Sequence, residues 1–411
     1  MKKSKSTNLC SILLCILLCY LTYGAINHAL TDKLSDYTGH LNFYLSFFTS
    51  DSFIDSWKSM PYFMWHLVLY ILNQIFLIPL EAATIYSSLI FTILSFYILY
   101  WMIIQYCKAK EYILSNEKAA FISFGLSTLQ TISVYWIDTD DFSMNPIHNP
   151  TQMCVRPFAL LCFCLVYDIW NKQDNANYNG TFFNTTKGLK RPYIYLAILL
   201  FISTFAKPTF AEMFIPAVAF IMLIEWIKRL IRKDGSGKLY FKHCLNMLYC
   251  AIPSLLFILL QIFGYIILGG KTGEEKGFII TKWLEVWSMF TENVTLSILL
   301  STAFPLFILL IDVRFFLKDH LGKLALVSYI VSFFEAALLG EGGERLTHGN
   351  FLWPLMSAIL LAFTASTLHL LDLENSKKET KLTHILTYIA WFMFCLHVLC
   401  GLIFFKNELM F

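Results

Sequence analysis

Asp36 and His40, in the segment SDYTGH, stand four residues apart, so on a helix both face one way. An aspartate there can serve as general base, with the histidine as its hydrogen-bonding neighbour. A second cluster, HNPTQ, carries His148 and Asn149 at the mouth of an apolar run, with Arg156 about two helical turns further in. A guanidinium at that depth needs an anionic partner, which points to sugar hydroxyl or lipid-phosphate recognition. Lys207 lies in AKPTF between two apolar runs, where Pro208 breaks the helix and makes a tight hairpin. The densest cluster is Gly340 to Asn350, where Glu341, Glu344, Arg345 and His348 are set among four glycines before Phe351-Leu352-Trp353 returns to lipid. Arg345 offers a planar fork that fits phosphate oxygens, and His348 adds a second donor. Glu335, Glu341 and Glu344 can orient those cations or act as a base.

Each cluster also has a plainer reading. Asp36 can be a helix cap, Arg156 one half of an internal ion pair, and Lys207 a side chain that snorkels to the headgroups. The knot resists such a reading, because ionised groups at a bilayer edge are costly and usually kept for a job. Asp138, Asp140 and Asp141 could hold a divalent metal, yet their spacing matches no known ligand loop. No cofactor is required by the chemistry of the other clusters.

The elements that must position these residues are membrane helices. The chain is 57% hydrophobic and 14% charged, against about 25% charged in soluble domains. Long apolar runs without alternation predict an all-α, polytopic transmembrane bundle rather than a barrel. About eleven spans can be drawn, near 8–28, 83–106, 119–137, 153–170, 192–206, 209–230, 243–269, 291–312, 322–340, 350–372 and 383–405. The Pro61 to Pro79 stretch is read as a re-entrant or juxtamembrane helix in the first outer loop, since a full span there would invert the sidedness of every later helix. Most of the 31 Lys and Arg fall in six segments that this map places inside, so the N-terminus is expected inside and the C-terminus outside. All four clusters then lie on the outer face of a plasma membrane.

Other features are read as structural. The 11 Cys sit largely in apolar runs and imply no disulfide framework. No basic patch suggests nucleic acid. Trp57, Trp65, Trp283 and Trp287 are expected in interfacial belts, and His369, His384 and His397 as structural histidines. The 269–276 loop lacks the strand–loop–helix context of a phosphate loop.

The order of these features resembles the GT-C superfamily of polytopic glycosyltransferases. A first helix is followed by an outer loop with acidic Asp36, then by a Pro-led apolar helix (Pro61-Tyr62-Phe63-Met64-Trp65-His66-Leu67) and a helix opening on Glu81-Ala82-Ala83. The likeness covers residues 8–230, leaving 231–411 as C-terminal helices with the outer charged knot at 340–354, all in one integral membrane domain. The knot is similar to bacterial multi-pass proteins from surface-polysaccharide contexts. The resemblance implies an inverting transfer of sugar from a polyprenyl-phosphate lipid to a glycan or lipid-linked acceptor, in cell-envelope assembly. Asp36 would take the hydroxyl proton, beside His40. His148, Asn149, Arg156, Lys207, Glu341, Glu344, Arg345 and His348 would bind substrate. The alternatives are a transporter or flippase of a lipid-linked or small polar substrate, which would need polar groups through the midplane, and a polysaccharide polymerase or ligase.

Overall fold

Apolar runs satisfy their backbone in lipid only by closing hydrogen bonds within the segment. The computed structural model describes residues 6–32, 35–49, 62–133, 144–232, 235–264, 278–375 and 380–410. They form an all-α bundle with one small ribbon. The helices are α1 (Ser6–Thr31), α2 (Asp36–Thr49), α3 (Met64–Tyr70), α4 (Leu80–Ala109), α5 (Asn116–Thr128), α6 (Pro150–Asp174), α7 (Lys190–Ala206) and α8 (Thr209–Arg232). They continue as α9 (Ser236–Ile262), α10 (Val294–Ser301), α11 (Ala303–Ile311), α12 (Val313–Lys318), α13 (His320–Leu338), α14 (Trp353–Glu374) and α15 (Lys381–Met410).

Among the described residues, eight helices are long and apolar enough to cross a bilayer, or nine if α10 and α11 form one span bent by 67°. This is the make-up of a membrane protein. The count falls short of the eleven expected from sequence for two local reasons. The 119–137 run is helical only to Thr128, where Leu129 turns extended at ψ 140. The 192–206 run forms α7, whose 17 residues reach only ~26 Å at 1.5 Å each. The Pro61–Pro79 stretch gives the seven-residue α3 and a π-turn at Ile71–Ile75, too short to span.

Burial sorts the helices. The spans containing α6 and α14 are 83% and 89% buried, so they form the centre, whereas those of α9 and α15 are 28% buried and face outward. Ser357, Thr364, Ser366 and Thr367 along α14 are small enough for close helix approach. Trp65 and Trp287, expected in the interfacial belts, are instead wholly buried. Their indole N–H groups donate to Ser88 and Ser297, both at 3.2 Å, which satisfies the one polar atom burial would strand. Trp283 stays exposed, and Trp57 lies outside the described residues.

The two ends of the bundle differ. At one end basic segments are tied by the ion pairs Lys118–Glu374, Arg229–Asp174 at 2.7 Å and Lys323–Glu225 at 3.6 Å, and by a His320–Asp174 hydrogen bond at 2.8 Å. At the other, β1 (Phe278–Ile280) pairs antiparallel with β2 (Leu339–Glu341), Phe278 opposite Glu341. That ribbon fixes where the knot leaves α13. Two 3₁₀ turns, Gly343–His348 and Asn350–Leu352, then carry the chain into α14. Gly349 joins them at φ 59, a left-handed conformation that costs glycine nothing.

Candidate functional site

Asp36 opens α2 as an exposed carboxylate. Its Oδ2 accepts from the Asn149 amide at 2.7 Å. Asn149 is itself fixed, because its Oδ1 accepts from the Gln152 backbone N–H at 2.9 Å and so caps α6. Gln152 in turn donates to the Trp353 carbonyl at 3.1 Å and to Ser357 at 2.9 Å, while accepting from Thr209 at 2.9 Å. One saturated amide therefore locks the start of α6 to the starts of α8 and α14, and through Asn149 orients Asp36.

Lys207 terminates α7 and is 4% exposed. Its ammonium lies 4.5 Å from the Trp353 ring centroid, a cation–π contact worth about 2 kcal/mol when desolvated. Burial pushes its pKa down to about 8, and Asp36, Glu212 and Glu341 offset part of that penalty. These three carboxylates come from α2, α8 and the knot. Glu335 on α13 completes the acidic set, within electrostatic reach of Glu212. Glu341 accepts from Arg345 Nε at 3.1 Å and from Asn350 at 2.7 Å, which holds the guanidinium beside the cluster.

His40 lies one turn after Asp36 on α2. Its ring packs on Phe43, Tyr62 and Trp65 and stands 5.2 Å, centroid to centroid, from His66. Both imidazoles are buried. Burial, then His66 and Lys207, hold His40 well below the usual histidine range. Burial takes His66 to about 3, although the backbone at Tyr62 and His40 offsets part of this. Two neutral rings at neutral pH can donate and accept hydrogen bonds but cannot supply positive charge. His40 Nδ1 and both His66 nitrogens have no partner within bonding geometry.

The structure thus gathers Asp36, His40, Asn149, Lys207, Glu341 and Arg345. It leaves others aside. His348 is exposed on the knot, and the side chain of Glu344 lies outside the described residues. His148 sets its ring edge on Phe404 of α15, a helix that adds nothing to the cluster among the described residues. Arg156 lines a separate cavity deeper in the bundle. Asp138, Asp140 and Asp141, the metal candidates, lie outside the described residues; among those described, no group of three or more His, Cys, Asp or Glu could hold a metal.

Sequence reading missed Glu212, His66 and Gln152. The signal for Glu212 was available: a lone carboxylate in the first turn of an apolar helix, five residues after a lysine. His66 was hidden in an apolar helix, and Gln152 looked like an ordinary cap neighbour.

An apolar cavity of about 300 Å³ lies between α7, α8 and α9, bounded by Leu200, Phe214, Met222, Trp226, Phe241 and Met247. Its upper wall, Phe214 and Ile215, is within one turn of Glu212.

Comparison with protein-family models and with curated proteins finds no match.

Proposed function

We propose that the protein is a membrane glycosyltransferase, moving a sugar from a polyprenyl-phosphate donor to an acceptor hydroxyl at the outer face, in cell-envelope or surface-glycan assembly. One observation carries this reading: buried Lys207 faces carboxylates from three separate segments, beside an exposed Asp36 held by Asn149. In the reaction the acceptor oxygen attacks the anomeric carbon and the bond to the phosphate oxygen breaks, with inversion. Asp36 takes the hydroxyl proton. Lys207 and Arg345 face the charge that grows on the departing lipid phosphate, and cations fixed in advance usually contribute most to such catalysis. The neutral His40 and His66 are suited to sugar hydroxyls, because each ring offers one donor and one acceptor. The apolar cavity below Glu212 has the chemistry of a lipid-tail site. The scheme requires no metal.

The test is product formation in membranes carrying single variants. Asp36→Asn removes the base and should cost ~10²–10⁴-fold. Arg345→Ala removes a charge stabiliser and should cost ~10²–10³-fold. Both proteins should accumulate normally. Full product from Asp36→Asn would end the enzyme reading.

A transporter is the second reading, and one feature favours it. α5 stops within the bundle and meets the bent α10–α11 pair, with Ile132 N–H donating to the Leu300 carbonyl at 3.4 Å. Broken helices of this kind bind substrates in transporters. Substrate uptake into vesicles, without product, would select that reading.

A further inference from the structure

Arg156 sits on α6 two turns below Asn149, on the same face. Among the described residues no hydrogen bond or ion pair satisfies its guanidinium. The residue is part-buried in the bundle, and a cation held away from bulk water without a counter-charge is unfavourable, so a bound anion there would stabilise it. Arg156 lines a cavity of about 20 Å³ between α1, α4, α5, α6 and the end of α15. The other polar walls are Thr22, Thr92, Ser95, Ser127 and Asn145.

The protons of these hydroxyls decide what the cavity suits. Thr92, Ser95 and Ser127 donate to the carbonyls of Ser88, Phe91 and Ser123 at 3.1, 2.8 and 2.9 Å. Thr22 alone of the four spends no proton on a neighbour: the residue is 1% exposed and its Oγ1 has no hydrogen-bond partner. The cavity thus combines a part-buried positive charge with a buried, unspent O–H donor. About 10–15 Å³ of such space holds one water, so the room fits a monatomic ion and excludes a phosphate or a sugar.

We propose that Arg156 and Thr22 hold a small monovalent anion of the halide class between α1, α4, α5, α6 and α15. The anion neutralises the guanidinium and joins five helices just beneath the Asn149 cap. This site is independent of the transferase reading, because Arg156 takes no part in the charged cluster.

The experiment is thermal unfolding of the purified full-length protein, with chloride or bromide replacing gluconate at constant ionic strength. The wild-type midpoint should rise saturably, by several degrees. Thr22→Val should need ~10-fold more halide for the same rise, equivalent to one lost hydrogen bond of ~1.4 kcal/mol. Arg156→Gln should abolish the dependence. A wild-type midpoint that ignores halide overturns the proposal, and points to water or a chain carboxylate as the compensating group. A halide response that persists in Arg156→Gln overturns it equally. Should Arg156→Gln fail to fold, the wild-type titration and Thr22→Val still decide, and bromide anomalous scattering at Arg156 gives a direct reading.

Discussion

Lys207 combines two opposed demands in one side chain. Its pKa of about 8 in the folded protein lies below the ~10.4 of an unfolded lysine. Between those values the unfolded chain holds more protons, so this residue's contribution to stability rises with pH across that window. Below pH 8 the buried ammonium is charged, and its contribution is at its least favourable. Binding of a phosphate runs the other way, because only the charged form attracts it. Affinity for polyprenyl phosphate should therefore fall ~10-fold between about pH 7 and about pH 9, as the protonated fraction drops. Lys207→Arg stays protonated throughout and should flatten the profile; Lys207→Met should be weak at every pH. A wild-type affinity constant across the range would remove Lys207 from phosphate recognition. The role of His40 is revised by the same logic of burial. Spacing placed it one turn from Asp36, and the structure adds that its ring packs among Phe43, Tyr62 and Trp65, next to His66.

The elements show where sequence reading succeeds and where it stops. α1, α4, α6, α8, α9, α13, α14 and α15 were legible because each carries a long apolar run, and length and hydropathy alone define such a helix. The end of α5 was not legible. FISFGLSTLQTISVYW reads as one apolar stretch, yet its chain leaves the helix at Leu129. The freed backbone finds partners far away in sequence: Gln130 N–H donates to the His397 carbonyl at 3.2 Å, and the His397 ring bonds the Gln130 carbonyl at 2.8 Å. Irregular backbone at membrane depth survives only when protein covers it in this way. His397, expected to be structural, has that role. The crossing depends on Gly401, because an added Cβ would stand 1.6 Å from the Thr128 carbonyl oxygen. Gly401→Ala must shift backbone, at a cost of ~1–3 kcal/mol or more. It should lower the unfolding midpoint by several degrees and leave proteolysis of the basic end unchanged. An unaltered midpoint would show that α5 and α15 do not meet so closely.

At the scale of the whole molecule, the charged groups divide by end. Asp36, Lys207, Glu341 and Arg345 meet at one pole, and the ion pairs of Asp174, Glu225 and Glu374 close the other. Sequence could assign segments to sides because a charge count along the chain needs no contacts. It could not pair Asp36 with Asn149, or Lys207 with Trp353, since those contacts join residues over a hundred positions apart. The polarity still yields a test of orientation. Among the described residues most lysines and arginines lie toward the Asp174 pole, so the positive-inside rule predicts that this pole faces the cytoplasm. Asp32→Cys and Thr347→Cys, both at exposed positions of the site pole, should then react with an impermeant maleimide in intact cells. Lys242→Cys, at the other pole, should react only after permeabilisation. Reaction of all three sites only after permeabilisation would turn the site toward the cytoplasm, where the lipid donor would have to be charged with its sugar on that same leaflet. Asp32→Cys and Thr347→Cys reacting from opposite sides would break the cluster itself, because Asp36 and Glu341 could not then share Lys207.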